Sequence, residues 1–485
     1  MRRKFATNLL FLFAANLLVK PFWIFGIDRV VQNKVGPELY GTYFAVFNFS
    51  FILSIFLDFG INNFNNRAIS RHPKRAGEYL MNLLAVKSVL SIAYFIFTLL
   101  TAFFAGFDHE QMVMLIFLAI NQILLSAILY FRSQLAALQL FKTDSLLSTL
   151  DRLLTILFCL TLLYHPFFSE NFNILWFIYA QTLALLLTAI IAFVLVVNKS
   201  GFIFSWWKIK FTQMILWKSL PFALLALLMG IYYRIDAVMI ERMLPDGALQ
   251  AGIYAASFRL LDAVNMFGFL FATLLLPMFA HMIRRNESVK NLVKFSAELI
   301  FVMSVIVSVN CWFFRSEIMS LLYHQTDGYW SKIFGWLMLN FIPMSSIYIF
   351  GTLLTAKGSL KTLNFIALGG MVMNVVLNLF LIPKHGAFGA TIATLITQLV
   401  VALAHIIAVN KQFRLDYPVS NLWRPTLFVL GCWLILMLIN YLPVANRMYL
   451  FFLAISACTA LSALLRLLPV KEAWGFVQNK NFQER

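Results

Sequence analysis

The stretch that decides the fold is FNILWFIYAQTLALLLTAIIAFVLVV, residues 172–197, which contains no charged side chain. As a helix rising about 1.5 Å per residue it would be roughly 39 Å long, more than the ~30 Å hydrocarbon core of a bilayer. A core helix of a water-soluble protein keeps a polar stripe for solvent, and this segment has none. Outward from it, thirteen more apolar runs of similar length are separated by charges, Pro and Gly. The candidate spans are 5–29, 39–63, 79–105, 111–132, 145–164, 172–197, 214–240, 251–280, 291–314, 333–356, 362–382, 387–410, 424–442 and 448–468. A membrane β-barrel would instead show short alternating segments, which are absent from the pattern.

Composition agrees. Of 485 residues 61% are hydrophobic and 12% charged, with 51 Phe, against about 45–50% apolar and about 25% charged in soluble domains. A soluble enzyme is excluded, because water must wet much of such a protein's surface. The net charge of +18 does not point to nucleic acid, since no basic run with interleaved aromatics lies on a soluble segment. Lys and Arg accumulate instead in the cytoplasmic loops of membrane proteins. With fourteen crossings and the basic start Arg2-Arg3-Lys4 inside, the cytoplasmic segments hold 24 Lys and Arg and the opposite loops seven. That asymmetry predicts both termini in the cytoplasm. The N-terminal run continues to Ile27 without a small-residue cleavage site, so it reads as a membrane helix and not as a signal peptide.

A parallel repeat is visible. GPELYGTYFAVF from Gly36 follows the first span and DGALQAGIYAASF from Asp246 follows the seventh, placing Gly41 and Gly252 in equivalent positions 211 residues apart. LQLFKTDSLLSTL from Leu138 and LTAKGSLKTLNF from Leu354 repeat at an offset of 216. Spans one to six and seven to twelve therefore form two six-helix pseudo-repeat lobes of an all-α integral membrane protein, an organisation typical of transporters. The expected divisions are 1–197 and 214–410 for the lobes, 411–468 for two appended helices and 469–485 for a cytoplasmic tail. Between the lobes, 198–213 carries Trp206, Trp207, Lys208 and Lys210, the composition of an interfacial linker.

Chemical motifs are lacking. GTLLTAKGS from Gly351 is no Walker A, the four cysteines and seven histidines have no metal-ligand or redox spacing, and there is no G-x-S-x-G or kinase set. No enzyme activity, metal or other cofactor is expected.

Three strings carry a family resemblance: VGPELYGTYFAVFNFSFILSIFLDFGINNFNNRAIS from Val35, YYRIDAVMIERML from Tyr232 with GIYAASFRL after it, and VVLNLFLIPKHGAFGATIATLITQ from Val375. They resemble the polysaccharide flippases of the multidrug, oligosaccharidyl-lipid and polysaccharide exporter superfamily. The resemblance implies a protein of the inner membrane that moves polyprenyl-pyrophosphate-linked oligosaccharide repeat units by alternating access, for O-antigen, capsule or exopolysaccharide synthesis. An H⁺ or Na⁺ gradient and a polysaccharide polymerase are the implied partners besides membrane lipid. A multidrug cation antiporter shares the fold and is the alternative; a membrane glycosyltransferase would need a long outer catalytic loop, and none is present.

Charges deep in membrane helices are costly and default to function. Lys20 before Pro21, Arg234 and Arg259 lie deepest and are the candidate cationic cavity for an anionic head. Asp236, Asp262 and Asp58 are candidate ion-coupling carboxylates, with Arg259–Asp262 (i, i+3) and Arg234 with a neighbouring carboxylate as the competing structural pairs. Lys87, Arg152, Lys218 and Lys294 sit in the cytoplasmic third of their helices and are expected to snorkel. Asp58, Asp151 beside Arg152, and Glu298 beside Lys294 are expected to form structural pairs. Asn62, Asn63, Asn65 and Asn66 suit either a helix end or a headgroup.

Overall fold

A computed structural model describes residues 19, 21–71, 73–201, 209–415, 423–442 and 447–467. Among these there is no strand, and thirteen helices are long and apolar enough to cross a membrane. Most of the first expected span, Lys20 and the linker core 202–208 lie outside the described residues. What is described of that first helix, α1, is a π-helical turn, Trp23–Asp28, followed by Arg29–Val35. Then come α2a (Pro37–Leu57), α2b (Ile61–Arg71), α3 (Ala76–Phe104), α4 (His109–Ala137), α5 (Phe141–Tyr164) and α6 (Ile174–Ser200). The rest are α7 (Ile209–Met243), α8 (Gly247–Arg284), α9 (Lys290–Phe313), α10 (Gly328–Lys357), α11 (Leu360–His385), α12 (Ala387–Phe413), α13 (Trp423–Asn440) and α14 (Arg447–Leu464).

The second span departs from the sequence expectation. A single helix over 39–63 followed by a loop is expected; instead the chain tightens into a 3-10 turn at Ser54–Leu57, breaks at residues 58–60, and resumes as helix to Arg71. The local cause is the string Asp58-Phe59-Gly60. Phe59 and Gly60 take φ of 40° and 76°, outside the helical region. The Asp58 carboxylate accepts from the Asn62 backbone N–H (3.3 Å) and so starts the new helix.

Packing divides the chain into two compact units, Met1–Ala256 with Asn378–Ala387, and Ser257–Leu377 with Phe388–Arg485. In the first, α2a packs along α7 and α4, and α4 packs along α6. One of its core clusters gathers Ile61, Leu80, Leu83, Phe131, Leu135 and Val196. The start of α2a crosses the start of α8 at Gly41 and Gly252, the two positions the repeat made equivalent. A Cβ on Gly41 would stand 1.9 Å from the Ala248 carbonyl oxygen, and one on Gly252 would stand 1.8 Å from that of Pro37. Only glycine lets these backbones touch. Gln32 from α1 donates to the Gly252 carbonyl there (2.9 Å).

In the second unit α9 packs on α10, and the appended pair α13–α14 lies on α9 through Val305, Ile306, Phe428, Cys432 and Cys458. Cys159, Cys432 and Cys458 are buried as small core residues, as their apolar settings imply. Large apolar side chains such as Ile92, Phe103, Phe380 and Leu430 are exposed on the helices, which is the surface a lipid solvent requires.

Candidate functional site

The break in α2 opens a cavity of about 270 Å³ inside the first unit. Its polar lining is Ser54, Asp58, Asn62, Gln122 and Ser126, set among Phe51, Leu57, Leu125 and Leu129, with Ala226 and Gly230 of α7 opposite. Those last two stand one helical turn apart, and Arg234 follows at the next turn on the same face. The Arg234 guanidinium lies 5.4 Å from the centroid of the Phe51 ring and 6.0 Å from that of Tyr233. Such a cation–π arrangement is worth about 0.5–2 kcal/mol and keeps a cation at membrane depth beside the cavity.

Lys87 forms the wall behind it. Expected to snorkel, it is instead only 5% exposed. Its ammonium donates to Ser126 Oγ (2.7 Å) and to the Leu57 carbonyl (3.0 Å), and stands 3.4 Å from Asp58 Oδ1. Its ammonium is satisfied inside the protein by the oxygens that the α2 break frees. Asp58 thus has a structural partner, as expected, but one supplied by α3.

The remaining candidates are dispersed. Asp236 is 1% exposed and accepts from the Tyr254 hydroxyl (2.7 Å) and from Asn378 Nδ2 (2.7 Å). Arg259 and Asp262 are half-buried on the part of α8 that belongs to the second unit. Arg152 pairs with Asp151 (3.7 Å) and Lys294 with Glu298 (4.0 Å), both cations being substantially exposed as expected; the Lys218 side chain is outside the described residues. The asparagine cluster divides. Asn62 lines the cavity, Asn65 donates to Ser133 Oγ (2.8 Å) and Gln134 Oε1 (3.1 Å), and Asn66 accepts from Ser70 at the exposed surface.

One buried carboxylate escaped the sequence reading altogether. Asp28 is 2% exposed and accepts from the Tyr40 hydroxyl at 2.6 Å. The signal was present: Ile27-Asp28-Arg29-Val30 matches Ile235-Asp236-Ala237-Val238 across the repeat. α1 and α7 therefore each carry an aspartate bonded to a tyrosine of the following helix.

A second cavity, about 410 Å³, lies where the α3–α4 and α7–α8 loops meet the start of α2a. Its lining is acidic, with Glu38, Asp108, Glu110 and Glu241. Arg242 ion-pairs with Glu241 (2.8 Å), bonds Gln111 and the Gly106 carbonyl, and covers the Phe107 ring. Among the described residues no group of His, Cys, Asp and Glu is arranged to hold a metal ion.

Comparison with known proteins bears directly on this helical, cavity-bearing architecture. The sequence model of the family described as "Polysaccharide biosynthesis protein" matches residues 5–283, more than half of the chain. The chain belongs to that family. An uncharacterized membrane protein of Methanocaldococcus jannaschii is 28% identical over 209 residues. The lipid III flippase of Escherichia coli (strain K12) is 25% identical over 206. Each match covers 42% of this chain and 47% of the relative, so the chain spans about half the length of the curated relatives it matches. Among solved structures, lipid II flippase MurJ in an inward closed conformation superposes with a TM-score of 0.75 at 15% identity, covering 96% of this chain and 99% of that one. An inward-facing multidrug resistance MATE family transporter gives 0.67 at 14% identity, over 83% and 98%. The fold is that of these membrane transporters.

Proposed function

We propose that this family member flips polyprenyl-pyrophosphate-linked oligosaccharide repeat units across the cytoplasmic (inner) membrane by alternating access, with both termini in the cytoplasm, for cell-surface polysaccharide synthesis. The observation that carries the reading is the polar cavity at the α2 break, with Arg234 held over Phe51 beside it. An anionic head cannot cross hydrocarbon bare, and a cavity with water-sized space, hydrogen-bonding side chains and a membrane-depth cation lowers that cost. The family match and the lipid III flippase relative support a lipid-linked cargo. Lys20, Arg234 and Arg259 are proposed to contact the pyrophosphate. Asp236 and Asp262 are the proposed carboxylates for coupling to H⁺ or Na⁺, and a polysaccharide polymerase would consume the product.

Deletion of the gene tests the proposal. The expected result is accumulation of one lipid-linked glycan on the cytoplasmic leaflet. Altered sensitivity to cationic drugs without such accumulation would replace the proposal with the antiporter.

A further inference from the structure

Where α2 breaks, the backbone leaves the Leu57 carbonyl outside the regular helical ladder, because the chain beyond it takes φ of 40° and 76°. That carbonyl, the Ser126 hydroxyl and the Asp58 carboxylate converge at one point, and the Lys87 ammonium occupies it, at 3.0, 2.7 and 3.4 Å. Ser126 also donates to the same carbonyl (3.3 Å). A carbonyl freed by an unwound membrane helix, together with a hydroxyl and a carboxylate, is an all-oxygen set of the kind that hard monovalent cations take. An ammonium has three donors and no acceptor, so it satisfies three such oxygens at once. The Tyr130 ring centroid lies 5.9 Å from Nζ and adds a cation–π contact.

We infer that this is a monovalent-cation site whose cation is covalently supplied: Lys87 is tethered in the place of a free sodium, potassium or ammonium ion. The break in α2 then keeps its charge balance in every ionic medium, and Asp58, whose charge Lys87 neutralises, takes no coupling ion. The site is not walled off, since Leu57, Asp58 and Ser126 all line the 270 Å³ cavity. Truncation of Lys87 leaves the three oxygens in place and opens a channel of the lost side chain's volume. Free cations reach it from the cavity.

The inference is independent of the cargo and is tested on the purified full-length protein by thermal unfolding in choline, sodium, potassium, methylammonium and ethylammonium chlorides. Lys87→Ala should unfold at lower temperature than wild type in choline. It should recover by a saturable upward shift in sodium or in a small alkylammonium, beyond any shift wild type shows. Asp58→Asn with Lys87→Ala, which leaves neither charge, should accumulate in the membrane and lose that response. A Lys87→Ala protein that responds to cations no more than wild type does overturns the inference, as does a double variant that keeps the response or fails to accumulate. So does a Lys87→Met protein as stable in choline as wild type, because the site would then need no cation.

Discussion

Substituting Gly41 by alanine tests the crossing of α2a and α8 most directly. The added methyl would lie 1.9 Å from the Ala248 carbonyl oxygen and 2.4 Å from the Gly252 nitrogen, both backbone atoms that no rotamer change can move. Relief requires the two helices to part by about an ångström, and a gap of that size forfeits roughly a quarter to a half of each dispersion contact across it. Overpacking of this kind costs about 1–3 kcal/mol. The Gln32 bond to Gly252, formed at 2.9 Å across the same contact, adds about 0.5–1.5 kcal/mol when lost. Together these weaken the crossing by about 1.5–4.5 kcal/mol, a shift of about 10- to 2000-fold in the equilibrium between closed and parted helices. The assay is maleimide labelling of Ala251→Cys, a fully buried position next to Gly252, in a background whose four native cysteines are replaced by alanine. Gly41→Ala should raise the labelling rate sharply and lower the unfolding temperature, and Gly252→Ala should do the same. Unchanged labelling and unchanged stability in both variants, at normal abundance, would refute the reasoning that backbone contact at these glycines holds the helices together.

Three further outcomes are expected. Arg234→Ala should reduce glycan export at normal protein abundance while Arg234→Lys retains more, since a lysine ammonium still supplies a cation over Phe51; export at the wild-type rate in the alanine variant removes Arg234 from the headgroup path. Tyr254→Phe leaves the Asp236 carboxylate one donor short and should destabilise the protein by about 1–3 kcal/mol in thermal or denaturant unfolding, more than Tyr233→Phe does at a half-buried position. Reporters fused after Arg75 or Lys210 should be cytoplasmic, and those near Asp108 or Thr326 should lie outside; a cytoplasmic Asp108 fusion would reverse the assigned orientation.

Much of the architecture was legible without coordinates, for a reason that belongs to the solvent. Lipid offers no hydrogen bonds, so a spanning segment outside a closed barrel must be a long apolar helix, and its length and lack of charge are written contiguously in the chain, as residues 172–197 are. The equivalence of Gly41 and Gly252 was also readable, because the repeat leaves similar strings at similar offsets. That the two meet backbone to backbone was not, since contact depends on how α2a and α8 cross. The polar interior divides the same way. Arg234, Arg259 and Asp236 stand out as charges within apolar runs, yet the order of residues does not tell a snorkelling lysine from a buried one. Lys87 looked like the first kind. Its partners, Leu57 and Ser126, lie 30 and 39 residues away on other helices, and only their packing puts a carbonyl freed from the helical ladder, a hydroxyl and a carboxylate around its ammonium. The sequence determined which segments enter the membrane; the tertiary structure decided what each buried charge meets there, because in a low-dielectric interior a charge's state follows from its nearest few atoms and not from its neighbours in the chain.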